Sequence, residues 1–294
     1  MNYDDIFQGG AAQPQQDTFD KDAWAAKKKE ERELVYGIID QTTLALATDP
    51  ALLKTYLDVQ CHFDRYSVSN TLLITAQKPE ATKLGDFNYW KRQQGSIKKG
   101  QQGIYILEPG DEYRKDDGSV GVSYNPKRVF DQSQTTARKT LSPLVNHSDR
   151  TLVQALVHQS GTPVKAVDEL PFGAKGAIFD PIRNAIFVQR GMAGPDIFRS
   201  LAAEMAHVEF ANGDSGYHRN SMAFAAYCVS YMLAKRNNID VSNYHFDAVP
   251  EEYSKMDAQE IRDELSYINT ACADITARMQ GILSRVKPKP APER

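Results

Sequence analysis

"LAAEMAHVEF", residues 201–210, decides how the second half of this 294-residue chain is read. A helix that holds zinc for hydrolysis usually runs H-E-x-x-H. Two histidines four residues apart share one helix face and bind the metal, while the glutamate works on a water. Here the second and fifth places hold Glu204 and His207, but the first holds Ala203, which has no lone pair to give. Three readings stay open at this point: a zinc helix with an unusual third ligand, a zinc helix that has lost its metal, or an ordinary amphipathic helix.

Outward from that stretch the second half is punctuated clearly. Gly194-Pro195 starts the helix and Gly213 stops it. Upstream, "RTLVQALVHQSG" reads as a helix, and "AKGAIFDPIRNAIFVQ" as two apolar runs around Asp180-Pro181, a predicted hairpin. Downstream, roughly Ser221 to Arg236 is very apolar and predicts a buried helix. Ile261, Leu265, Ile268, Cys272, Ile275, Met279, Ile282 and Val286 then repeat at spacings of four and three. That heptad seam is either a face docked on the preceding domain or a dimer interface.

The first half has a different texture. Residues 1–20 are rich in Gln, Gly and Asp and predict a disordered tail. A helical pattern follows from Asp22 to about Ala47, with the basic run "KKKEER" inside it, and a second helix begins at Asp49-Pro50. The apolar stretch Tyr66–Gln77 ends at Pro79. Beyond it "GIYILEP" alternates like a strand, "DEYRKDDGS" reads as a charged turn, and "VGVSYNPKRVF" as a returning strand. The fold class is therefore α+β in two domains: a helix-plus-antiparallel-sheet domain over 21–135, a linker over 136–149 and a second domain over 150–250. An amphipathic helix and tail over 251–294 complete the chain.

Bulk properties exclude several classes. The net charge of −3 gives no global attraction to nucleic acid, so charge has to be read segment by segment. Cys61, Cys228 and Cys272 form no C-x-x-C pair, which argues against a thiolate zinc site or a disulfide framework and fits a reducing cytoplasm. No run of 18 apolar residues occurs, so a membrane span is not expected. Between Arg65 and Lys99, however, seven basic residues face two acidic ones, with Tyr66, Phe87, Tyr89 and Trp90 interleaved. Cations for phosphates and flat rings for unstacked bases are what a nucleic-acid single strand requires. The competing reading is a solvated basic face over an ordinary core.

The run from Phe63 to Tyr113, continuing from Tyr124 to Thr135, resembles the N-terminal domain of the ArdC-type antirestriction proteins of conjugative plasmids and related mobile elements. The features that carry the resemblance are Tyr66, Ser67 and Asn70 of a Y-S-x-x-N step, the Gln77-x-Pro79 step, Trp90, the "IKKG" turn and the "ILEP" strand. Over residues 22–135 it implies an α+β domain that binds single-stranded DNA, with Tyr66, Asn70, Trp90, Lys91, Lys98 and Lys99 as candidate contacts.

Residues 150–247 resemble, more weakly, the zincin-like metallopeptidase domain that follows in such proteins. There the third metal ligand is a carboxylate on the next helix, yet Ser215–Ile239 contains no Asp or Glu. A catalytic zinc needs three protein ligands and an open position. Glu204 is thus expected as a vestigial general base and His207 as a vestigial ligand, paired with each other by a hydrogen bond or ion pair. No cofactor is expected. Zinc is expected only under the alternative, in which His218, Glu209 or Asp214 completes the site of an active peptidase. The implied partner is single-stranded DNA. A third reading is an interaction module that binds a host protein.

Overall fold

The computed structural model describes residues 20–138, 146–213 and 216–286. The expected tail of residues 1–20 lies, apart from Asp20, outside the described residues, as does half of the expected linker, residues 139–145. Among the described residues the fold is α+β, with helices packed around two small three-stranded sheets.

The first half opens with α1 (Lys21–Leu46), α2 (Pro50–His62) and α3 (Val68–Gln77). Their starts are chemically marked. Asp20 accepts from the Asp22 and Ala23 N–H groups, and Asp49 from those of Ala51 and Leu52 with Pro50 in the first turn. Ser67 accepts from Asn70 N–H. The sheet that follows has the order β1 (Leu84–Gly85), β3 (Val120–Asp131), β2 (Ile104–Arg114), all antiparallel, with α4 (Phe87–Arg92) between β1 and β2.

The strand β2 is longer than the sequence pattern indicates. Residues 112–114, expected in a turn, pair with 120–122 of β3 past a bulge at 110–111, which confines the turn to 115–119. Past Leu107 every residue but Gly110 is exposed, so this arm of the hairpin has no buried face to impose alternation.

The sheet is fastened to α3 by two side-chain amides. Asn70 Nδ2 donates to Leu107 O at 2.9 Å while Leu107 N–H donates to Asn70 Oδ1 at 2.6 Å. Two turns further on, Gln77 makes the same pair of bonds with Tyr105 O (3.0 Å) and N–H (2.8 Å). An edge strand presents unpaired N–H and C=O groups. Here two amides seven residues apart on a helix satisfy them at alternate strand positions.

The second half contains α5 (Asp149–Val157), β4 (Val164–Val167), β5 (Ala177–Asp180), β6 (Ala185–Gln189), α6 (Gly194–Gly213), α7 (Ala223–Arg236) and α8 (Ala258–Leu283). The expected hairpin is β5–β6, and β4 joins the other edge of β6 in parallel.

One continuous set of buried apolar side chains runs from Val35 of α1 through α2, α3, α5, α6 and α7 to Leu283 of α8. A smaller set, including Val59, Phe63, Ile104 and Val129, lies beneath the first sheet. Helix α8 therefore docks along α5, α6 and α7 and also reaches α1 and α3. Its seam follows the expected positions through Met279, after which Leu283 is buried and Val286 is exposed. A straight 3.6-residue helix drifts off a strict heptad by about 20° per repeat, which moves the final inward position by one residue.

Candidate functional site

Two places carry the residues that the sequence singles out. The first is the surface built by α4, the loop over 95–100 and the segment 131–138.

Asp86 caps α4 by accepting from Tyr89 N–H at 2.7 Å. With 3.6 residues per turn, Tyr89 and Trp90 then fall on one side of this short helix, and Phe87, Asn88, Lys91 and Arg92 on the other. Trp90 is only 1% exposed, and its indole N–H donates to Phe130 O at 2.9 Å. Phe87 is 59% exposed, and Asn88, Lys91 and Arg92 are exposed with it.

The neighbouring loop is tied to 131–138 by backbone and side chain. Lys98 N–H donates to Gln134 O, Thr136 N–H to Ser96 O, and Ile97 bridges Thr135. A Cβ added at Gly95 would stand 2.6 Å from the Ala137 Cβ, so the close approach of these two segments requires glycine. Lys98, Lys99 and Arg138 are exposed on these segments, and Lys98 Nζ also donates to Ser133 O at 2.8 Å. Residues 87–107 and 132–138 together contain no Asp or Glu.

Of the six residues expected at a nucleic-acid surface, Lys91, Lys98 and Lys99 are exposed here. Tyr66 is half-buried, its ring edge-on to Phe63 at 5.5 Å between centroids. Two expectations are corrected by geometry. Trp90 is a core residue because its ring faces inward, and Asn70 has its amide spent on the backbone of Leu107. Phe87 and Arg92, which belong to the basic and aromatic stretch of the sequence without being among the six candidate contacts, present an exposed ring and cation, and Arg138 adds a cation from outside that stretch. Exposure follows from which face of α4 packs, and six residues are too few to reveal a period.

The second place is α6. Leu201, Ala202, Met205, Ala206 and Val208 are buried at 0–1%, which fixes the helix rigidly in the core. Glu204 and His207 are also buried, and buried polar groups need partners. They do not pair with each other as expected. Arg219 Nη2 donates to Glu204 Oε1 at 2.6 Å and Arg219 Nη1 to Oε2 at 2.7 Å, and Phe179 N–H of β5 adds a third bond to Oε2 at 2.7 Å. His207 Nδ1 pairs with the Tyr217 hydroxyl at 3.0 Å. Burial, reinforced by the Arg219 charge, lowers the His207 pKa to about 3, so the ring is neutral at ordinary pH. The Glu204 carboxylate in turn raises the Arg219 pKa, chiefly by direct hydrogen bonding and further by its charge, against burial, which lowers it.

These residues do not fit a divalent metal. Both oxygens of Glu204 receive guanidinium N–H groups, Ala203 supplies no donor, and a fixed cation already stands at the carboxylate. Glu209 pairs instead with Arg278 of α8, and His218 is exposed. Among the described residues no three His, Cys, Asp or Glu side chains come together to hold a metal ion. Asp214 lies outside the described residues.

No family model matches the chain, and no curated protein matches its sequence. Solved structures do carry this arrangement of helices and small sheets: the fold is that of plasmid antirestriction proteins of the ArdC type. In particular, the metal-free crystal structure of the antirestriction ArdC protein from the R388 plasmid superposes with a TM-score of 0.52 at 17% sequence identity. The match covers 74% of this chain and 86% of that one. The Mn(II)-bound structure of the same protein gives 0.53 at 16% identity, over 73% and 85% of the two chains. Among the described residues no helix is long and apolar enough to cross a membrane.

Proposed function

We propose that this chain binds single-stranded DNA through the surface of α4 and the segments 95–100 and 131–138. In this reading it serves an antirestriction role for a mobile element, escorting or shielding DNA in transfer, and its second half performs no hydrolysis. The observation that supports this reading is that Lys91, Arg92, Lys98, Lys99, Arg138 and the Phe87 ring are all exposed on α4 and the two tied segments beside it, within the stretches 87–107 and 132–138, which contain no carboxylate. Such a surface attracts phosphates without regard to sequence and offers a ring for a base to stack on. The exposed amides and hydroxyls of Asn88, Gln93, Gln94 and Ser133 add hydrogen-bonding capacity between the charges.

Fluorescence anisotropy with a labelled oligonucleotide tests it. Single-strand binding is expected to weaken by about a hundredfold between 50 and 200 mM salt if all five cations meet phosphates. Absence of binding at low salt, or binding indifferent to salt, would remove the reading.

A further inference from the structure

A carboxylate buried in a helix that resembles a metal-binding one needs a positive charge beside it. In H-E-x-x-H hydrolases that charge is a metal ion. The geometry points to Arg219 as a built-in replacement: its guanidinium takes the charge-balancing place of a divalent metal at Glu204 and fastens the segment 217–219 onto α6 without a cofactor. This inference is independent of DNA binding and rests on the metal-free reading of the second half.

Three observations carry it. The Glu204 side chain is 6% exposed and receives both prongs of the guanidinium, with Phe179 N–H completing its shell. That planar match is one a lysine cannot make. Second, the same short segment covers the other polar residue of the helix, since Tyr217 closes over His207 two residues before Arg219 meets Glu204. Third, Arg219 is the only Lys or Arg between Arg199 and Lys235, so no second cation in that stretch could serve.

The consequence is asymmetric. Arg219 is 38% exposed and can rehydrate if it loses Glu204, whereas Glu204 cannot rehydrate if it loses Arg219.

The test uses the full chain purified without chelators, with metal content measured by mass spectrometry and Tm recorded in EDTA and in excess Mn(II) or Zn(II). The wild-type chain is expected to carry no stoichiometric metal and to keep its Tm under all three conditions. Arg219→Ala is expected to lower Tm by about 5–10 °C, and Glu204→Gln by less. Glu204→Gln/Arg219→Ala, which removes both charges, should be more stable than Arg219→Ala alone and keeps the test readable if that single variant fails to fold. Arg219→Lys should recover only part of the loss. About one bound metal per wild-type chain would overturn the metal-free reading. A metal-free wild type whose Tm is unmoved by Arg219→Ala, or a double variant no more stable than that single one, would overturn the role of Arg219 alone.

Discussion

Phe87 and Trp90 sit three residues apart on α4, at the edge between its solvent-facing and core-facing sides, the first 59% exposed and the second 1%. The two rings therefore answer to different assays. Phe87→Ala removes a stacking platform and little packing, so single-strand affinity should fall by about 1–3 kcal/mol with Tm nearly constant. Trp90→Ala leaves a cavity and an unpaired Phe130 carbonyl, so stability should fall by about 3–5 kcal/mol, with any loss of binding following from unfolding. Denaturant titration and anisotropy on both variants separate the roles. Equal affinity of Phe87→Ala and wild type would take the ring out of the interface.

Asn70 and Gln77 make a matched prediction for the architecture. Each amide satisfies one N–H and one C=O of β2, at Leu107 and Tyr105. Alanine at either position leaves those groups without partners where the sheet meets the helix, at a cost of about 1–3 kcal/mol per orphaned group that water cannot reach. Urea midpoints should drop for both variants. Hydrogen exchange should accelerate at Leu107 N–H in Asn70→Ala and at Tyr105 N–H in Gln77→Ala. A variant losing DNA affinity at unchanged stability would instead make Asn70 a contact.

Charge reversal probes the same surface from outside. Lys99 has an exposed side chain, and Lys98 shares its ammonium with the Ser133 carbonyl. Lys98→Glu/Lys99→Glu should weaken binding across all sequences, and the salt slope should shrink by about 0.7 for each phosphate that is no longer neutralised. An unchanged dissociation constant would exclude both lysines.

How far the sequence discloses these features depends on the length of pattern available. The helix of 201–210 is legible because 20 residues bounded by Gly194-Pro195 and Gly213 give several turns of period, and the β5–β6 hairpin because β5 is buried throughout and β6 at three of its five positions. The arm of β2 beyond Leu107 is not, since a strand exposed on both faces has no alternation to show. Arg219 escapes notice for a different reason. Metal-ligand patterns are made of carboxylates and imidazoles, and the lack of carboxylates from Ser215 to Ile239 says nothing about a lone cation. That cation is nonetheless a usable clue, because a glutamate set among Ala202, Met205 and Ala206 has to find a positive partner once the first histidine is gone.

His207 supplies a pH dependence with a definite sign. An unfolded histidine binds its proton near pH 6.5, whereas in the fold burial and the Arg219 charge lower that value to about 3. Between these limits the unfolded chain holds the extra proton, so stability from this residue is complete above about pH 6.5 and is lost as pH falls toward 3. The slope contributed by one such group cannot exceed about 1.4 kcal/mol per pH unit. Carboxylates titrate in the lower part of the window, so the residue is isolated by difference. His207→Gln keeps a hydrogen-bonding group near Tyr217 but cannot take up a proton, and its urea midpoint should fall less than the wild type's between about pH 7 and pH 5. Parallel midpoints for the two proteins over that interval would mean that the imidazole is reached by water and titrates near its ordinary value. The closure of Tyr217 over α6 would then be absent in solution.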